Sequence, residues 1–171
     1  MTTANSLNQL IETIRSKKLT VGFGESCTGG LLSATLTKVA GVSDVFMGSV
    51  VSYSYPAKVD LLGVSQETLN TEGAVSEEVA LQMARGVCER LKVDCSIAIT
   101  GVAGPGGGSP DKPVGTVWFA AKGPGFEVSE RKLFAGDREQ IQKLSVEFAV
   151  ELLLNALQQD QGLRKKIPST T

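Results

Sequence analysis

The sequence predicts an α/β fold, a three-layer α/β/α sandwich around a mixed, mostly parallel sheet of about five strands. Apolar, β-branched runs alternate along the chain with amphipathic segments, and a Gly-Pro-Gly turn at 123–125 separates the last two runs. Alternating strands and helices bury both faces of a parallel sheet, whereas a short glycine turn joins antiparallel neighbours. The length of 171 residues suits one domain, which we place at residues 1–160, followed by a polar, disordered tail at 161–171.

The first half of the chain predicts two strands flanked by helical segments. Residues 6–17 repeat apolar side chains at helical spacing, with Ser6 as the N-terminal cap. The run 19–23 indicates a buried strand, 29–42 a helix, and the β-branched run 45–54 a second strand. Together these segments predict one βαβ unit.

The second half predicts four helical segments and three strands. Two short helical turns precede an amphipathic helix that begins at Ser76, and a capping box of Asp137 and Gln140 starts a long final helix. The ranges are 56–64 and 65–73 for the turns, 76–92 for the helix, 95–104, 114–123 and 126–136 for the strands, and 137–159 for the final helix.

The composition argues against binding to nucleic acid or membranes. Acidic and basic residues nearly balance, at 18 and 17, so no extended basic surface is available for phosphate backbones or anionic lipids. No run approaches the ~20 apolar residues of a membrane span, and the N-terminus lacks a secretory signal, so we expect a cytoplasmic protein. The three cysteines show no C-x-x-C spacing, which argues against a disulfide framework or a zinc site. Because histidine is absent, acid–base chemistry must use Lys, Tyr, Asp or Glu.

Polar, glycine-rich loops follow the predicted strands at their carboxyl ends. The loops read ESCTGG after the first strand, YSYPAK after the second, TGVAGPGGGSPDK after the third and AGDR after the last. Ligands of open α/β sheets bind beyond the carboxyl ends of the strands, where loops and helix N-termini converge. The sequence therefore predicts a ligand pocket at this edge of the sheet.

The first of these loops offers a nucleophile on a strand-to-helix turn. Its glycines match neither the dinucleotide nor the P-loop fingerprint, because Cys27 stands where a third glycine is needed and no Gly-Lys-Ser/Thr occurs. Ser26 or Cys27 is the candidate nucleophile, although such residues are also typical of an N-terminal cap and a buried thiol. The backbone N–H groups of Thr28, Gly29 and Gly30 would then bind the developing oxyanion.

Lys58 is the best-placed base for Ser26, because lysine takes this role in Ser-Lys hydrolases that lack histidine. Lys112, in the glycine-rich loop, is a weaker candidate and is expected to be solvated. Tyr53 and Tyr55 precede Lys58 and would share one face of the strand if the strand continued that far. Either phenol could relay a proton or orient Lys58, and aromatic packing is the alternative for both.

The third and last loops supply the opposite wall of the predicted pocket. The Thr100 hydroxyl and the N–H groups of the glycine-rich loop line that wall. Arg138, beside a helix start, is a candidate clamp for phosphate or carboxylate. The glycines assigned to substrate binding are Gly101, Gly104 and Gly106.

Five blocks of the sequence occur in a characteristic order, ESCTGG, AKVDLLGV, GAVSEEVA, TGVAGPGGGSPDKPVGTVW and FAGDR. They resemble the CinA C-terminal domain family, whose stand-alone bacterial members are nicotinamide mononucleotide (NMN) deamidases of the PncC type. The resemblance implies a mixed-sheet α/β/α fold like that of anticodon-binding domains. It also implies hydrolysis of the NMN carboxamide to nicotinate mononucleotide and ammonia, in pyridine nucleotide salvage, by a Ser/Lys mechanism with no metal or other cofactor.

The resemblance also assigns roles to individual residues. It places the nucleophile at Ser26, its base at Lys58 and the family tyrosine at Tyr53, with Tyr55 ranked second. Gly24 stands where alanine is usual, and YSYPAK replaces the commoner YSNEAK, but neither change removes a proposed catalytic group. We expect NMN as the small-molecule partner, no nucleic-acid or membrane partner, and a homo-oligomer, either a dimer or a higher assembly.

Two other classes of function stay open at the level of the sequence. One is a non-catalytic module, related to competence- or damage-inducible proteins, that binds a pyridine nucleotide or a protein partner. A turnover assay with NMN separates this class from an enzyme. The other is a metal-dependent hydrolase, whose ligands would be Asp and Glu alone because histidine is absent. Activity that survives excess chelator would eliminate it.

Overall fold

A five-stranded mixed sheet forms the centre of the protein in the computed structural model, which describes residues 3–164. The strands are β1 (Val21–Glu25), β2 (Phe46–Val51), β3 (Cys95–Gly101), β4 (Thr116–Gly123) and β5 (Phe126–Leu133), in the spatial order β2-β1-β3-β4-β5. β1 pairs in parallel with β2 and β3, while β4 is antiparallel to both β3 and β5. The mixed sheet is confirmed, but its neighbouring pairs divide evenly between parallel and antiparallel. A loop without a helix returns the chain from β3 to β4, whereas the crossover between parallel strands usually contains an α-helix.

Helices cover both faces of the sheet, which confirms the three-layer α/β/α architecture. α1, α2 and α6 lie on one face, and α3, α4 and α5 lie on the other. In chain order the helices are α1 (Thr3–Ser16), α2 (Leu31–Leu36), α3 (Tyr55–Leu62), α4 (Gln66–Glu72), α5 (Glu77–Leu91) and α6 (Arg138–Arg164).

Each face of the sheet buries its own apolar cluster. Phe23 and Phe119 belong to the cluster beneath α1 and α6, whereas Met83 belongs to the cluster beneath α5. α3 crosses α5 at Gly86, where an added Cβ would lie 1.9 Å from the carbonyl oxygen of Leu62. Only glycine permits this approach, so the contact fixes α3, and the side chains it carries, close to the carboxyl end of β1.

Two predictions for the first helices are wrong in detail. Ser6 does not cap α1, because the helix begins three residues earlier, at Thr3. α2 is much shorter than the predicted segment 29–42. Gly29 and Gly30 have positive φ angles of 60° and 101°, which exclude them from a right-handed helix, and the chain after α2 forms turns.

The predicted caps of the later helices are confirmed. The Ser76 hydroxyl accepts a hydrogen bond from the first turn of α5. The Asp137 carboxylate accepts from the Gln140 N–H at 2.9 Å, and the Gln140 side chain accepts from the Asp137 N–H at 2.8 Å, which is a complete capping box. α6 continues through Arg164 into the predicted tail, whose remaining residues, 165–171, lie outside the described part of the chain.

Candidate active site

Ser26 lies at the carboxyl end of β1, in the turn that leads to α2. Its N–H donates to the Ile99 carbonyl at 3.0 Å, and its own carbonyl accepts from the Gly29 N–H at 3.0 Å. The turn is therefore tied to β3 and also closed on itself. Side chains alternate along a strand, so Ser26 points to the same face as Gly24, where an added Cβ would meet Leu62 of α3. Ser26 is buried, and its hydroxyl faces the α3 side of the sheet.

Lys58 reaches the Ser26 hydroxyl from α3. Its Nζ lies 2.8 Å from Ser26 Oγ and donates to the Ser52 carbonyl at 2.6 Å. Ser54 caps α3 by accepting from the Ala57 N–H at 3.3 Å, which fixes the turn that carries Lys58. The Lys58 residue is only 1% exposed, and burial lowers its pKa from the ordinary 10.5 to about 8. About a tenth of the amine is therefore neutral at pH 7.

Burial of Lys58 lowers the stability of the folded protein at neutral pH. Its folded pKa of about 8 lies below the ordinary 10.5, so the unfolded chain holds more protons between these values. The free energy of unfolding therefore rises with pH between about 8 and 10.5. Below this range the full destabilisation caused by the buried amine is present. We expect Lys58→Met to be more stable than the wild type by about 2 kcal/mol at pH 7. Urea unfolding should show the difference shrinking toward pH 10; a variant less stable than the wild type at pH 7 would contradict the assignment.

The fully buried Glu25 carboxylate organises the turn before α2. Its Oε2 accepts from the Thr28 hydroxyl at 2.8 Å and from the N–H groups of Gly30 and Leu32 at 3.1 and 3.0 Å. Its Oε1 accepts from the Ser33 N–H at 2.9 Å and from the Ser33 hydroxyl. A carboxylate at the start of a helix satisfies N–H groups that have no partner within the helix. Glu25 is thus an internal anion at the N-terminus of α2.

This network corrects the predicted oxyanion site. The Gly30 N–H and the Thr28 hydroxyl are bound by Glu25, and the Gly29 N–H donates to a carbonyl inside the turn. These groups are not free to receive a developing negative charge. The candidates that remain in the turn are the backbone N–H groups of Cys27 and Thr28, which follow the nucleophile directly.

A cavity of about 280 Å³ opens beside Ser26 and Lys58. Its walls come from the ends of β1 and β3, the glycine-rich loop after β3, the segment before α5 and the start of α6. Lys58 and Arg138 are the charged side chains among its described lining residues, which include no Asp or Glu. Two basic groups without an acidic counterpart favour an anionic ligand.

Arg138, at the start of α6, is the second basic residue of the cavity. Its Nη1 donates to the Gly104 carbonyl at 2.8 Å, and its Nη2 donates to the Tyr53 hydroxyl at 2.7 Å. Both acceptors are neutral, so these contacts leave the guanidinium charge uncompensated. Tyr53 is 60% exposed and lies at the rim of the cavity. The capping box begun by Asp137 fixes the first turn of α6 and with it Arg138.

Tyr55 does not line the cavity, and the predicted pairing of two tyrosines on one strand face is wrong. β2 ends at Val51, so Tyr53 lies in the following loop and Tyr55 begins α3. The Tyr55 hydroxyl accepts from the Ala74 N–H at 3.2 Å, and the Thr100 hydroxyl donates to the Ala74 carbonyl at 2.8 Å. The two side chains together hold the segment before α5 as a wall of the site.

Cys27 and Lys112 are less favourably placed than Ser26 and Lys58 for the roles of nucleophile and base. The Cys27 thiol lines the cavity, but burial raises its pKa to about 12, which disfavours the thiolate needed for nucleophilic attack. Its carbonyl accepts from the Gln142 side chain at 2.8 Å, which ties the turn to α6. Lys112 lies outside the cavity and donates to the Glu72 carbonyl.

The structure brings most of the predicted site residues to one cavity. Those that line it are Ser26, Cys27, Tyr53, Lys58, Thr100, Gly101, Gly104, Gly106 and Arg138. Those that do not are Thr28, Gly29, Gly30 and Tyr55. Residues missed by the sequence reasoning are Glu25, Ser52, Ala74 and Val75. Val102, Ala103 and Gly107 also line the cavity and belong to the glycine-rich loop that was predicted as one of its walls. The segment before α5 forms one of the missed walls and lies in the block GAVSEEVA. That block was the one signal in the sequence that could have identified it.

Neither a metal-binding cluster nor a membrane span is found in the part of the chain that the structure describes. Residues 3–164 contain no group of three or more His, Cys, Asp or Glu side chains that could hold a metal ion. None of the helices in this range combines the length and the apolar character needed to cross a bilayer.

Comparison with models of protein families identifies the family of this chain. The family model of the CinA C-terminal domain matches residues 3–157. The chain belongs to the CinA C-terminal domain family. The matched range includes every residue that lines the cavity, and it confirms the resemblance seen in the five sequence blocks.

Curated relatives of this CinA domain differ in length. The CinA-like protein of Fervidobacterium nodosum is 46% identical over 88% of this chain, but the chain spans only 37% of that relative. The nicotinamide-nucleotide amidohydrolase PncC of Escherichia coli K12 is 41% identical, with 85% of this chain and 88% of the enzyme covered. The domain is thus similar both to a part of longer proteins and to nearly the whole of a shorter one.

Solved structures share the fold of this CinA domain. The competence/damage inducible protein CihA from Agrobacterium tumefaciens has a TM-score of 0.87 and 41% identity, covering 91% of this chain and 95% of that one. A CinA superfamily protein from Escherichia coli has a TM-score of 0.87 and 39% identity, covering 91% and 90%. Both agree with the α/β class and the mixed sheet predicted from the sequence.

Proposed function

We propose that this CinA domain is an amidohydrolase that converts NMN to nicotinate mononucleotide and ammonia. The observation that carries the proposal is the buried contact of 2.8 Å between Ser26 Oγ and Lys58 Nζ, beside a cavity with two basic groups and no acid. A serine paired with a lysine of lowered pKa suits attack on an amide, and Arg138 suits the phosphate of a nucleotide. Similarity to the amidohydrolase PncC supports the same substrate.

The proposed reaction is acyl transfer to Ser26 followed by hydrolysis. Neutral Lys58 takes the proton of Ser26 as Oγ attacks the carboxamide carbon, which forms a tetrahedral intermediate. The resulting ammonium returns that proton to the amide nitrogen as its bond to carbon breaks, so ammonia leaves and a serine ester remains. Water, deprotonated by neutral Lys58, then attacks the ester carbon. The Lys58 ammonium returns that proton to Ser26 Oγ as the ester bond breaks, and the acid product loses its own proton to solvent to give the nicotinate carboxylate.

The oxyanion of the tetrahedral intermediate would be held by the backbone N–H groups of Cys27 and Thr28. They follow Ser26 directly, in a turn that is tied to Ile99 and, through Gln142, to α6. Donors that are fixed in advance lose little free energy in reorganising as charge develops, and each one contributes about 3 kcal/mol. Tyr53, at the rim, is the second group that could deliver a proton to the leaving ammonia.

An ammonia-release assay on the purified protein tests the proposal. NMN should be hydrolysed with equal yields of ammonia and nicotinate mononucleotide. Nicotinamide, which lacks the phosphate, and NAD, which is larger than a cavity of about 280 Å³ accommodates, should be poor substrates. Binding of NMN without release of ammonia would instead favour the non-catalytic module.

The rate should depend on pH through Lys58. Because the neutral amine is the base, kcat/KM is expected to rise with pH and to level off above an apparent pKa of about 8. Below that value the rate should fall about tenfold for each pH unit. A profile measured from pH 5.5 to 9.5 with NMN checks this; a rate that is flat between pH 6 and pH 8 would contradict the role of Lys58 as base.

Arg138 should act mainly on binding of the phosphate. We expect Arg138→Ala to raise KM for NMN about 100-fold and to lower kcat less than about tenfold, because the phosphate is remote from the reacting carbon. The dephosphorylated nucleoside should lose much less on the same substitution. Arg131→Ala, which removes an arginine that does not line the cavity, is the matched control. Equal losses for NMN and the nucleoside would contradict a phosphate clamp.

A further inference from the structure

Ser52 carries a buried hydroxyl without a hydrogen-bond partner next to the Ser26–Lys58 pair. Among the buried side chains that the structure describes, this property is shared by Ser52 Oγ and Thr116 Oγ1. Both residues are completely inaccessible to solvent. A buried hydroxyl that forms no hydrogen bond destabilises the folded state, so its retention needs a physical reason.

The backbone of Ser52 is already part of the site. Its N–H donates to the Glu25 carbonyl at 2.8 Å, which continues the β1–β2 ladder one residue past β2, and its carbonyl accepts from Lys58 Nζ. Alternation along this ladder places the Ser52 side chain on the face of Val50, which packs on the cluster beneath α5. Ser26 projects from the same face of the neighbouring strand. The two serine side chains therefore hold adjacent positions on one side of the sheet.

When the Lys58 amine is charged, one of its three N–H groups has no acceptor. An ammonium has three N–H donors, whereas Nζ meets two acceptors, Ser26 Oγ and the Ser52 carbonyl. The buried residues of α5, which packs on α3, are apolar, and the described cavity lining contains no carboxylate. The Glu25 carboxylate bonds to α2, on the other face of the sheet. The titratable or charged groups that share the cavity with Lys58 are Cys27, Tyr53 and Arg138.

We propose that Ser52 is a positioning residue whose hydroxyl turns to accept the third N–H of Lys58 whenever Lys58 is an ammonium, including after it takes the proton of Ser26. Staggered alternatives about the Cα–Cβ bond of Ser52 permit its hydroxyl to turn, and the carbonyl of the same residue already contacts Lys58 Nζ. The new hydrogen bond stabilises the ammonium. Ser52 forms no bond to the substrate. The kinetic part of this inference rests on the proposed function, whereas the effect on protonation of Lys58 does not.

Titration of Lys58 by NMR tests the inference without turnover. The protein is labelled with 13C at the lysine Cε, and the Lys58 signal is identified by its loss in Lys58→Met. Removal of the acceptor disfavours the ammonium, so Ser52→Ala should lower the Lys58 midpoint by about half a pH unit or more. Thr116→Val, which removes the other buried hydroxyl without a partner, should leave the midpoint unchanged. Equal midpoints for the wild type and Ser52→Ala would overturn the proposal.

Kinetics and unfolding supply the second test. With NMN, Ser52→Ala should lower kcat about threefold or more with KM nearly unchanged, and the acid limb of the rate profile should move to lower pH. Above pH 9, where folded Lys58 is mostly neutral, its free energy of unfolding should equal or exceed that of the wild type, because an unsatisfied hydroxyl has been removed. A less stable variant with an unchanged pH profile would show a structural role and overturn the proposal. If the wild type does not hydrolyse NMN, the proposed function fails, while the NMR titration still decides the role of Ser52.

Discussion

Ser26→Ala should abolish hydrolysis of NMN, with kcat at least about 1,000-fold below that of the wild type. Alanine removes the atom that forms the acyl-enzyme, and water alone would have to attack an amide directly. The substitution removes one buried hydroxyl that contacts Lys58, so the fold should survive. Ammonia release measures the loss, and circular dichroism with urea unfolding verifies the fold.

Lys58→Met should cause a loss of similar size, because the serine and its base act as a unit in this mechanism. Lys112→Met is the matched control, since Lys112 is a loop lysine that lies outside the cavity. Its kcat should stay close to that of the wild type. The double variant of Ser26 and Lys58 should lose little more activity than either single one, as expected for groups that share one chemical step.

Activity that survives in Ser26→Ala would exclude the serine as nucleophile. Cys27, the neighbouring residue, would then be tested through Cys27→Ala and through alkylation of its thiol. The high pKa of this buried thiol disfavours that outcome. Loss of activity in Cys27→Ala together with its retention in Ser26→Ala would assign the chemistry to sulfur.

Glu25→Ala should produce the largest loss of stability among the substitutions considered, about 3–5 kcal/mol. The substitution leaves the N–H groups of Gly30, Leu32 and Ser33, and the hydroxyl of Thr28, without their acceptor in a buried place. Water cannot readily replace a carboxylate that is fully buried. Urea unfolding should show a lower midpoint at an unchanged slope.

Two further variants sharpen the test on Glu25. Glu25→Gln keeps an acceptor oxygen but turns an amide toward backbone donors, so its stability should fall between those of the wild type and Glu25→Ala. Glu139→Ala removes an exposed glutamate that pairs with Lys143, and it should leave the free energy of unfolding nearly unchanged. A Glu25→Ala protein that unfolds at the wild-type midpoint would show that the turn does not depend on this carboxylate.

Local sequence signals predicted the parts of the fold that depend on neighbours in the chain. The capping box of Asp137 and Gln140 and the hairpin at 123–125 are of this kind, and both are present. The even division between parallel and antiparallel pairs was not predictable in the same way, because the partner of β4 is decided by packing between distant segments. Tyr55 was expected on the same strand face as Tyr53 because the second strand was predicted to extend to residue 54, whereas β2 ends at Val51.

The candidate site could be predicted where reactive residue types stand in polar loops. With no histidine in the chain, Ser26 and Lys58 were the best-placed serine and lysine on the polar loops, although Cys27 and Lys112 stayed open as alternatives. The structure places Ser26 and Lys58 in contact; their catalytic roles stay predictions. Glu25 and Ser52 were missed because a single glutamate or serine in sequence carries no sign of burial. Their importance comes from partners that only the folded chain brings together.

The basic residues of the cavity should also affect release of the product. In the proposed reaction, hydrolysis would turn an uncharged carboxamide into a carboxylate next to Lys58, in a cavity whose described lining contains no acidic side chain. The product therefore carries one more negative charge than the substrate, and a protonated Lys58 retains it. Loss of the proton from Lys58, at a pKa of about 8, removes that attraction. The same ionisation that activates the serine thus governs departure of the product, so accumulated nicotinate mononucleotide should inhibit more strongly at pH 7 than at pH 9.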